Sequence, residues 1–256
     1  MALTGINKAG FYNAVFSLAI KTIKLRYKNS VLGVFWSMLN PLFFMVIIYI
    51  VFGQVNSMER FALYALSGLI FWNFISGAIL QVLTSFIDNA DILKSINLHP
   101  LSFPLSAMLA AIFNLLLSLI PFTIVLFFLD YQLHISIIAL FPYLFITAIF
   151  VAGLGMLLGT INVYFRDIQL LWSTITPAFF YFTPIAYSID LVPERFHWLV
   201  RLNPFYHFID AVHKIFYDSR FPTFTSFCIM SFYALFTFSL GYFVFKQLRK
   251  GFISNI

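Results

Sequence analysis

Charged side chains are scarce in this sequence. Only 9% of its 256 residues are Asp, Glu, Lys or Arg, whereas about a quarter of the residues of a soluble domain are charged. Hydrophobic residues make up 62% of the chain, and the mean hydropathy is +0.95. The composition therefore argues against a soluble fold, and its long apolar runs predict an all-α integral membrane protein.

Cysteine is almost absent, since Cys228 is the single one and lies in an apolar run. A disulfide framework is excluded, and no CxxC or Cys/His spacing suggests a metal site. The phosphate-binding pattern GxxxxGK[ST] does not occur either, so the chain does not cradle ATP phosphates in that way. We predict no catalytic residue, no metal site and no cofactor bound by this chain.

Six apolar runs are present, and each is free of Asp, Glu, Lys and Arg. They cover residues 31–58, 61–87, 101–129, 135–165, 168–189 and 221–245. Each reaches the roughly 20 residues that a helix needs to cross a bilayer, so we predict six transmembrane helices. A proton- or ion-coupled carrier usually has ionisable groups at membrane depth, so the uncharged runs weaken that alternative.

Positive charge is concentrated on one side of these runs, within a net charge of +6. The cations on that side are Lys8, Lys21, Lys24, Arg26, Lys28, Lys94, Arg166, Lys246, Arg249 and Lys250. Such clusters at the ends of apolar runs indicate lipid headgroups rather than nucleic acid as the partner. The positive-inside rule then predicts that both termini are cytoplasmic.

Residues 8–29, before the first span, have the pattern of an amphipathic helix. Its predicted polar face carries Asn13, Ser17, Lys21, Lys24 and Lys28, and its apolar face carries Phe11, Val15, Leu18 and Leu25. Such a pattern is typical of a helix that lies in the plane of the membrane interface. We therefore predict a cytoplasmic interface helix here.

Four motifs resemble one family of transport proteins. They are IKLRYKNSVLGVFWSMLNPLFFMVIIYIVFG at 23–53, NVYFRDIQ at 162–169, FFYFTPIAYSIDLVPE at 179–194, and LNPFYHFIDAVHKIFY at 202–217. In this order, and with six spans, the chain is similar to the membrane subunit of polysaccharide-exporting ABC transporters. That group includes the permeases for O-antigen, some capsules and wall teichoic acids.

The resemblance implies one transmembrane permease domain over residues 1–256, located in the bacterial inner membrane. It also implies a half-permease that pairs with a second copy of itself and with two copies of a separate ATPase subunit. ATP and Mg would be bound by that ATPase. The expected function is export of a lipid-diphosphate-linked polysaccharide from the cytoplasmic to the outer face.

The loop 88–99 is the best candidate for the contact with the ATPase. Asp88 or Asn89 could cap a short helix. The predicted contact residues are Asp91, Ile92, Leu93, Lys94 and Ile96. By resemblance this loop is the coupling helix; the alternative is an interfacial turn whose isoleucines dip into lipid.

Lys24, Arg26 and Lys28 stand where the interface helix meets the first span. Clustered cations at a headgroup surface attract phosphate, so we predict that these three bind the diphosphate of the substrate. The alternative is that they serve only to orient the chain in the membrane.

The segment 190–220 is too polar to span the membrane and too apolar to extend freely into water. By resemblance it contains short re-entrant helices that gate the outer mouth, with Pro184, Pro204, Phe205 and Phe208 as predicted gate residues. Asn203 and Pro204 look like the cap and first position of a helix. Histidine and aspartate recur on its other side at 207, 210 and 213, a pattern more typical of a solvated face than of a metal site.

Aromatic residues make up 20% of the chain, and 35 of its residues are Phe. Most are explained by lipid-facing bulk and interfacial belts. Two clusters could also pack against sugar rings along a path. The predicted lining residues are Phe71, Trp72, Phe74, Tyr181 and Phe182.

A different class of function is a membrane enzyme that modifies a lipid-linked glycan. It would need two or more acids or histidines that converge at an interface. The only concentration of such residues is Asp190, Glu194, His197, His207, Asp210 and His213.

Overall fold

The computed structural model describes residues 8–28, 35–52, 60–96, 98–129, 131–132 and 134–255. The regular structure of these residues is helical, without a strand among them, which confirms the all-α prediction. The helices are α1 (Lys8–Tyr27), α2 (Phe35–Phe52), α3 (Phe61–Asp88), α4 (Ala90–Ser95), α5 (Ser102–Phe128), α6 (Leu140–Tyr164), α7 (Asp167–Phe182), α8 (His197–Leu202), α9 (Pro204–Phe216), α10 (Phe224–Leu248) and α11 (Phe252–Asn255). Short 3-10 turns lie at Ile135–Ala139, Ile189–Leu191, Glu194–Phe196 and Arg249–Gly251.

Four helical stretches of the described residues are long and apolar enough to cross a membrane. They are Phe61–Asp88, Ser102–Phe128, Ile135–Tyr164 and Phe224–Gly251. They match four of the six predicted spans. The first predicted span, 31–58, lies partly outside the described residues, and its described part is the 18-residue helix α2. The total of six spans stays a prediction.

The fifth predicted span, 168–189, is helical over only part of its length. Helix α7 has 16 residues and ends at Phe182. Thr183 is in an extended conformation, with φ of −99° and ψ of 127°. Pro184 follows, and the residue before a proline is driven out of the helical region by a clash with the proline ring. The proline therefore ends the helix about two turns before the apolar run ends.

Helix α3 lies at the centre of the bundle. In its most apolar stretch 72% of the residues are buried, compared with 39% in α5 and 17% in α10. It contacts α2, α5, α6, α7 and α9. At about 1.5 Å per residue its 28 residues extend about 42 Å. We call the two ends of the bundle the α4 end, where α3 leads into α4, and the α9 end, where α3 begins beside α9.

Helices α6 and α10 approach each other closely at two glycines. A Cβ atom on Gly241 would overlap the carbonyl oxygen of Gly153, and one on Gly153 would overlap the backbone of Phe238. Small residues allow helix backbones to come together and gain van der Waals contact, which is the main attraction between helices in lipid. The two glycines therefore set the distance between α6 and α10.

Helix α1 packs along the first half of α5. The rings of Phe11 and His99 lie 5.9 Å apart, and the Tyr27 hydroxyl donates a hydrogen bond of 2.9 Å to Asn114 Oδ1. The two contacts are separated by about 24 Å on α1 and by about 22 Å along the chain from His99 into α5. Helix α1 therefore runs parallel to α5, which is long and apolar enough to span a membrane. The sequence predicts instead that α1 lies in the plane of the membrane.

The two faces of α1 agree with the sequence at most positions. Every residue of the predicted polar face is exposed, and Val15 and Leu18 are buried. Leu25, which we predicted on the apolar face, is exposed instead. The cause is the direction of α1, because Tyr27 rather than Leu25 is turned toward α5.

We expect Gly153→Ala to destabilise the bundle by about 1–3 kcal/mol, because an extra methyl group must force α6 and α10 apart. The matched control is Gly77→Ala in α3, where a Cβ atom meets nothing within 4 Å. Both changes improve helix propensity by about 1 kcal/mol, so the difference between them reports the contact. Thermal unfolding in detergent, followed by size-exclusion chromatography, measures it. Equal Tm values for the two variants would contradict the close approach.

Candidate functional site

A compact cluster of apolar side chains fills the α4 end of the bundle. It consists of Leu18, Phe86, Leu93, Phe103, Met156, Val163, Phe245 and Phe252. These residues come from α1, α3, α4, α5, α6, α10 and α11, so one cluster joins seven helices. We call it the α4-end cluster. Helix α4 is attached to the bundle through it.

Helix α4 is not capped as the sequence suggests. Asn89 occupies the N-cap position, but its side chain makes no capping hydrogen bond. Its Nδ2 donates to the Ser85 carbonyl over 2.9 Å, and its Oδ1 accepts from Lys21 Nζ over 3.2 Å. Asn89 therefore connects α1 and α3 instead of closing the first turn of α4. The sequence alone does not reveal these contacts, because Lys21 is 68 residues away in the chain and Ser85 lies on the preceding turn of α3.

The exposed face of α4 differs from the predicted one. Leu93 is only 7% exposed and belongs to the α4-end cluster, whereas Ile96 is 52% exposed. Asp91 and Lys94 are exposed as well, and Ile92 is partly buried. Leu93 is thus corrected from a contact residue to an anchor, since a six-residue helix needs a buried side chain to hold it in place. The outward face consists of Asp91, Lys94 and Ile96.

The three cations that we predict to bind phosphate lie together near the end of α1. Lys24, Arg26 and Lys28 are all exposed, and within the described residues none of them forms a salt bridge. Tyr27 stands among them and is tied to Asn114 of α5. Asn114 is nearly buried in an apolar helix, which is a sequence signal for a partner across helices. We call Lys24, Arg26 and Lys28 the basic collar.

At the α9 end, α9 begins as the sequence predicts. Pro204 is its first residue, and Asn203 Oδ1 accepts a hydrogen bond of 3.1 Å from the Phe205 amide. The Asn203 amide group also donates to Thr183 Oγ1 over 2.9 Å. Phe205 and Phe208 are buried in the core. One side chain therefore joins the start of α9 to the break after α7, although the sequence pattern indicates only the cap.

His213 is buried, in contrast to the solvated face predicted for it. Its ring stacks on Tyr64 with centroids 3.6 Å apart, and Gly68 leaves room for it, since a Cβ atom there would lie 2.8 Å from His213 Nε2. Burial lowers the pKa of His213 to about 3, so the ring is neutral. Lys214 forms a salt bridge of 2.6 Å with Asp210, and His207 Nε2 contacts the Arg201 carbonyl over 2.8 Å. His207, Asp210 and His213 therefore each contact a different partner.

The first aromatic cluster lies in the core and not on an open path. Phe71 is fully buried against Tyr143, and Trp72 packs edge-on to Phe205. Phe74 is buried too. The lining role expected for these three is corrected to a packing role, because α3 is enclosed on most of its sides.

The second cluster has a different environment at the end of α7. Tyr181 is 76% exposed and Phe182 is 39% exposed. For these two residues the lining role stays a prediction. Pro184, a predicted gate residue, is buried beside Tyr64, whose hydroxyl donates to the Tyr187 carbonyl over 3.1 Å.

The acids and histidines of the outer segment do not converge. His197 Nε2 contacts the Val192 carbonyl, Asp190 accepts a hydrogen bond from Ser188, and His213 is buried on the bundle side of α9. In the part of the chain that the structure describes, no three residues of the types His, Cys, Asp or Glu are placed to hold a metal ion. This arrangement gives no support to the glycan-modifying enzyme.

Comparison with known proteins identifies a family. The sequence model of the ABC-2 type transporter family matches residues 13–217. One relative, the O-antigen export system permease protein RfbA of Klebsiella pneumoniae, is 31% identical over 215 residues, which cover 82% of this chain and 82% of the relative. The protein of the same description from Myxococcus xanthus is 28% identical over 213 residues, covering 81% and 82%. The chain belongs to the ABC-2 type transporter family, and its apolar helices agree with a multi-pass membrane protein.

Proposed function

We propose that this member of the ABC-2 type transporter family is the membrane-spanning permease subunit of an ATP-driven polysaccharide exporter. The observation that carries the proposal is the similarity to O-antigen export permeases over about four fifths of both chains. The proposed substrate is a lipid-diphosphate-linked polysaccharide that moves from the cytoplasmic to the outer face of the inner membrane. The distribution of Lys and Arg supports an orientation with both termini in the cytoplasm.

A separate ATPase subunit supplies the energy in this proposal. The chain has no GxxxxGK[ST] sequence, so ATP and Mg are assigned to the partner. The α4 end is the proposed docking site, because the outward face of α4 combines an apolar side chain with both signs of charge. Its anchor, Leu93, connects that face to six other helices of the bundle. A displacement of α4 by the ATPase would therefore reach α3, α5 and α6.

The basic collar is the proposed site for the diphosphate of the substrate. Tyr27 holds it beside Asn114, which lies 12 residues after the start of α5, or about 18 Å along that helix. None of the three forms a salt bridge within the described residues. A cation next to a membrane-spanning helix is costly without an anionic partner. A diphosphate would provide that partner, so this position supports a role in substrate binding in addition to orientation.

A second copy of the chain completes the proposed pathway, and α7 is the helix that we assign to face it. The exposed side of α7 carries Gln169, Ser173 and Thr174 together with Leu170, Leu171 and Tyr181. Small hydroxyl residues are typical of helix–helix contacts in membranes. The exposed side of α10 is dominated instead by Phe and Leu, which suits lipid. Tyr181 and Phe182 would then lie near the path between the copies, with α9 as the outer gate.

The docking proposal predicts that Ile96→Asp weakens the complex with the ATPase. Burial of the half-exposed Ile96 contributes about 1 kcal/mol, and a desolvated carboxylate adds a further cost. We therefore expect at least roughly tenfold weaker co-purification. Ile135→Asp is the matched control, since Ile135 is also an exposed isoleucine but lies at the α9 end. Leu93→Asp should differ from both by lowering the level of folded permease itself. Normal association and export in Ile96→Asp would remove α4 from the mechanism.

Replacement of Lys24, Arg26 and Lys28 by Gln tests the collar. Each cation contributes about 1 kcal/mol to phosphate attraction, so the KM for substrate-stimulated ATP hydrolysis should rise by up to roughly a hundredfold. The control replaces Lys246 and Lys250, which are exposed cations at the α4 end of the bundle. With insertion intact, an unchanged KM would mean that the collar only orients the chain.

Cysteine crosslinking tests the second copy. In a Cys228→Ala background, Ser173→Cys should form a crosslinked dimer in native membranes, because two copies of α7 face each other in the proposal. Phe232→Cys, on the exposed side of α10, should stay monomeric. If Ser173→Cys yields only monomers while export remains active, this interface is ruled out.

A further inference from the structure

The chain turns back into the bundle after α10. Arg249–Gly251 forms a 3-10 turn, and α11 follows from Phe252 to Asn255. We call residues 249–255 the return segment. Neither the proposed docking face of α4 nor the basic collar includes it, yet it contributes a fully buried phenylalanine to the α4-end cluster.

Two features of α6 and the turn direct this return. The Tyr164 hydroxyl, at the end of α6, donates a hydrogen bond of 2.5 Å to the carbonyl of Leu248, the last residue of α10. Gly251 passes directly over the same hydroxyl, where a Cβ atom would overlap it. The glycine thus allows the close approach, and the next residue points inward.

Phe252 is 1% exposed and lies against the last turn of α3. Its ring centroid is 4.9 Å from that of Phe86 and 5.9 Å from that of Phe245. Phe86 stands just before α4, and Leu93 of α4 belongs to the same cluster. Phe252 therefore packs against the end of α3, directly before α4 begins.

Arg249 contacts the chain after α4, on the opposite side of α4 from Phe86. Its Nη1 lies 3.4 Å from Nε2 of His99, which stands between α4 and α5. Burial lowers the pKa of His99 below its ordinary value, and the Arg249 guanidinium lowers it further. The neutral ring has one accepting nitrogen, for which Arg249 and the Leu101 amide, 3.2 Å from Nδ1, compete. The return segment thus touches the chain on both sides of α4.

We propose that the return segment is the positioning element of α4, with Phe252 supporting its start and Arg249 holding its exit at His99. This inference rests on the proposed function, in which α4 receives the movement of the ATPase. Helix α4 has six residues, and helices this short do not persist alone. Its position is therefore set by the side chains around it. If those side chains packed loosely, a displacement of α4 by the ATPase would not be transmitted to the bundle.

The test compares Phe252→Ala with Phe243→Ala, a matched change at an exposed position of α10. Hydrogen exchange of residues 88–99 is measured on the purified permease alone. The ratio of glycan exported to ATP hydrolysed is measured on the complex with its ATPase in proteoliposomes. We expect Phe252→Ala to accelerate exchange in 88–99 by about tenfold or more and to lower the export ratio several-fold, while the ATPase still co-purifies. Phe252→Leu should restore both readouts, and Phe243→Ala should change neither.

Arg249→Met keeps the inference testable if Phe252→Ala does not fold, since Arg249 is partly exposed and Met retains the apolar stem. It should accelerate exchange around His99 and lower the export ratio to a smaller extent. Unchanged exchange in both variants would overturn the positioning role. Faster exchange with an unchanged export ratio would overturn its connection to coupling. Because the exchange measurement needs no ATPase, failure of the proposed function would show separately, as a wild-type permease that binds no ATPase.

Discussion

The burial of α3 is the constraint on which the rest of the structure depends. A helix enclosed on most sides has to be apolar or small around its whole circumference, and α3 meets this with residues such as Leu66, Ile75 and Val82, all fully buried. Near its ends it also makes polar contacts, with the Tyr64 hydroxyl bonded to the Tyr187 carbonyl at the α9 end and the Ser85 hydroxyl bonded to the Val82 carbonyl at the α4 end. One continuous packed helix therefore connects the loop proposed to meet the ATPase with the segment proposed to gate the outer mouth.

The two ends of the bundle are held by different chemistry. At the α4 end, aromatic and aliphatic side chains from seven helices converge, and polar contacts such as that of Asn89 with Lys21 lie at the margin. At the α9 end, polar side chains connect broken helices, as Asn203 does with Thr183. Helix ends inside a membrane protein need such partners for their free backbone groups. The apolar end suits transmission of movement, and the polar end suits an irregular backbone.

Residue patterns predict well wherever local chemistry decides the outcome. The cap at Asn203 and the first helical position at Pro204 follow from the chemistry of helix starts and are confirmed. Four spans follow from uninterrupted apolar runs. The same reasoning is wrong for Leu93 and Phe71, because in an apolar chain hydrophobicity does not distinguish a side chain that faces a partner from one that faces the core. Phe252 could not be singled out among 35 phenylalanines.

The sequence by itself determined the class of the protein and four of its helical spans, because transfer of apolar residues into lipid and the backbone needs of a helix depend on composition and local order. Tertiary structure alone decided which residues are available for function. Ile96 is exposed and Leu93 is buried because the α4-end cluster accepts one side chain of a six-residue helix. His213 is buried because Gly68 leaves space on a helix more than a hundred residues away. Such outcomes depend on contacts between residues that are distant in the sequence, and a local sequence pattern does not indicate those contacts.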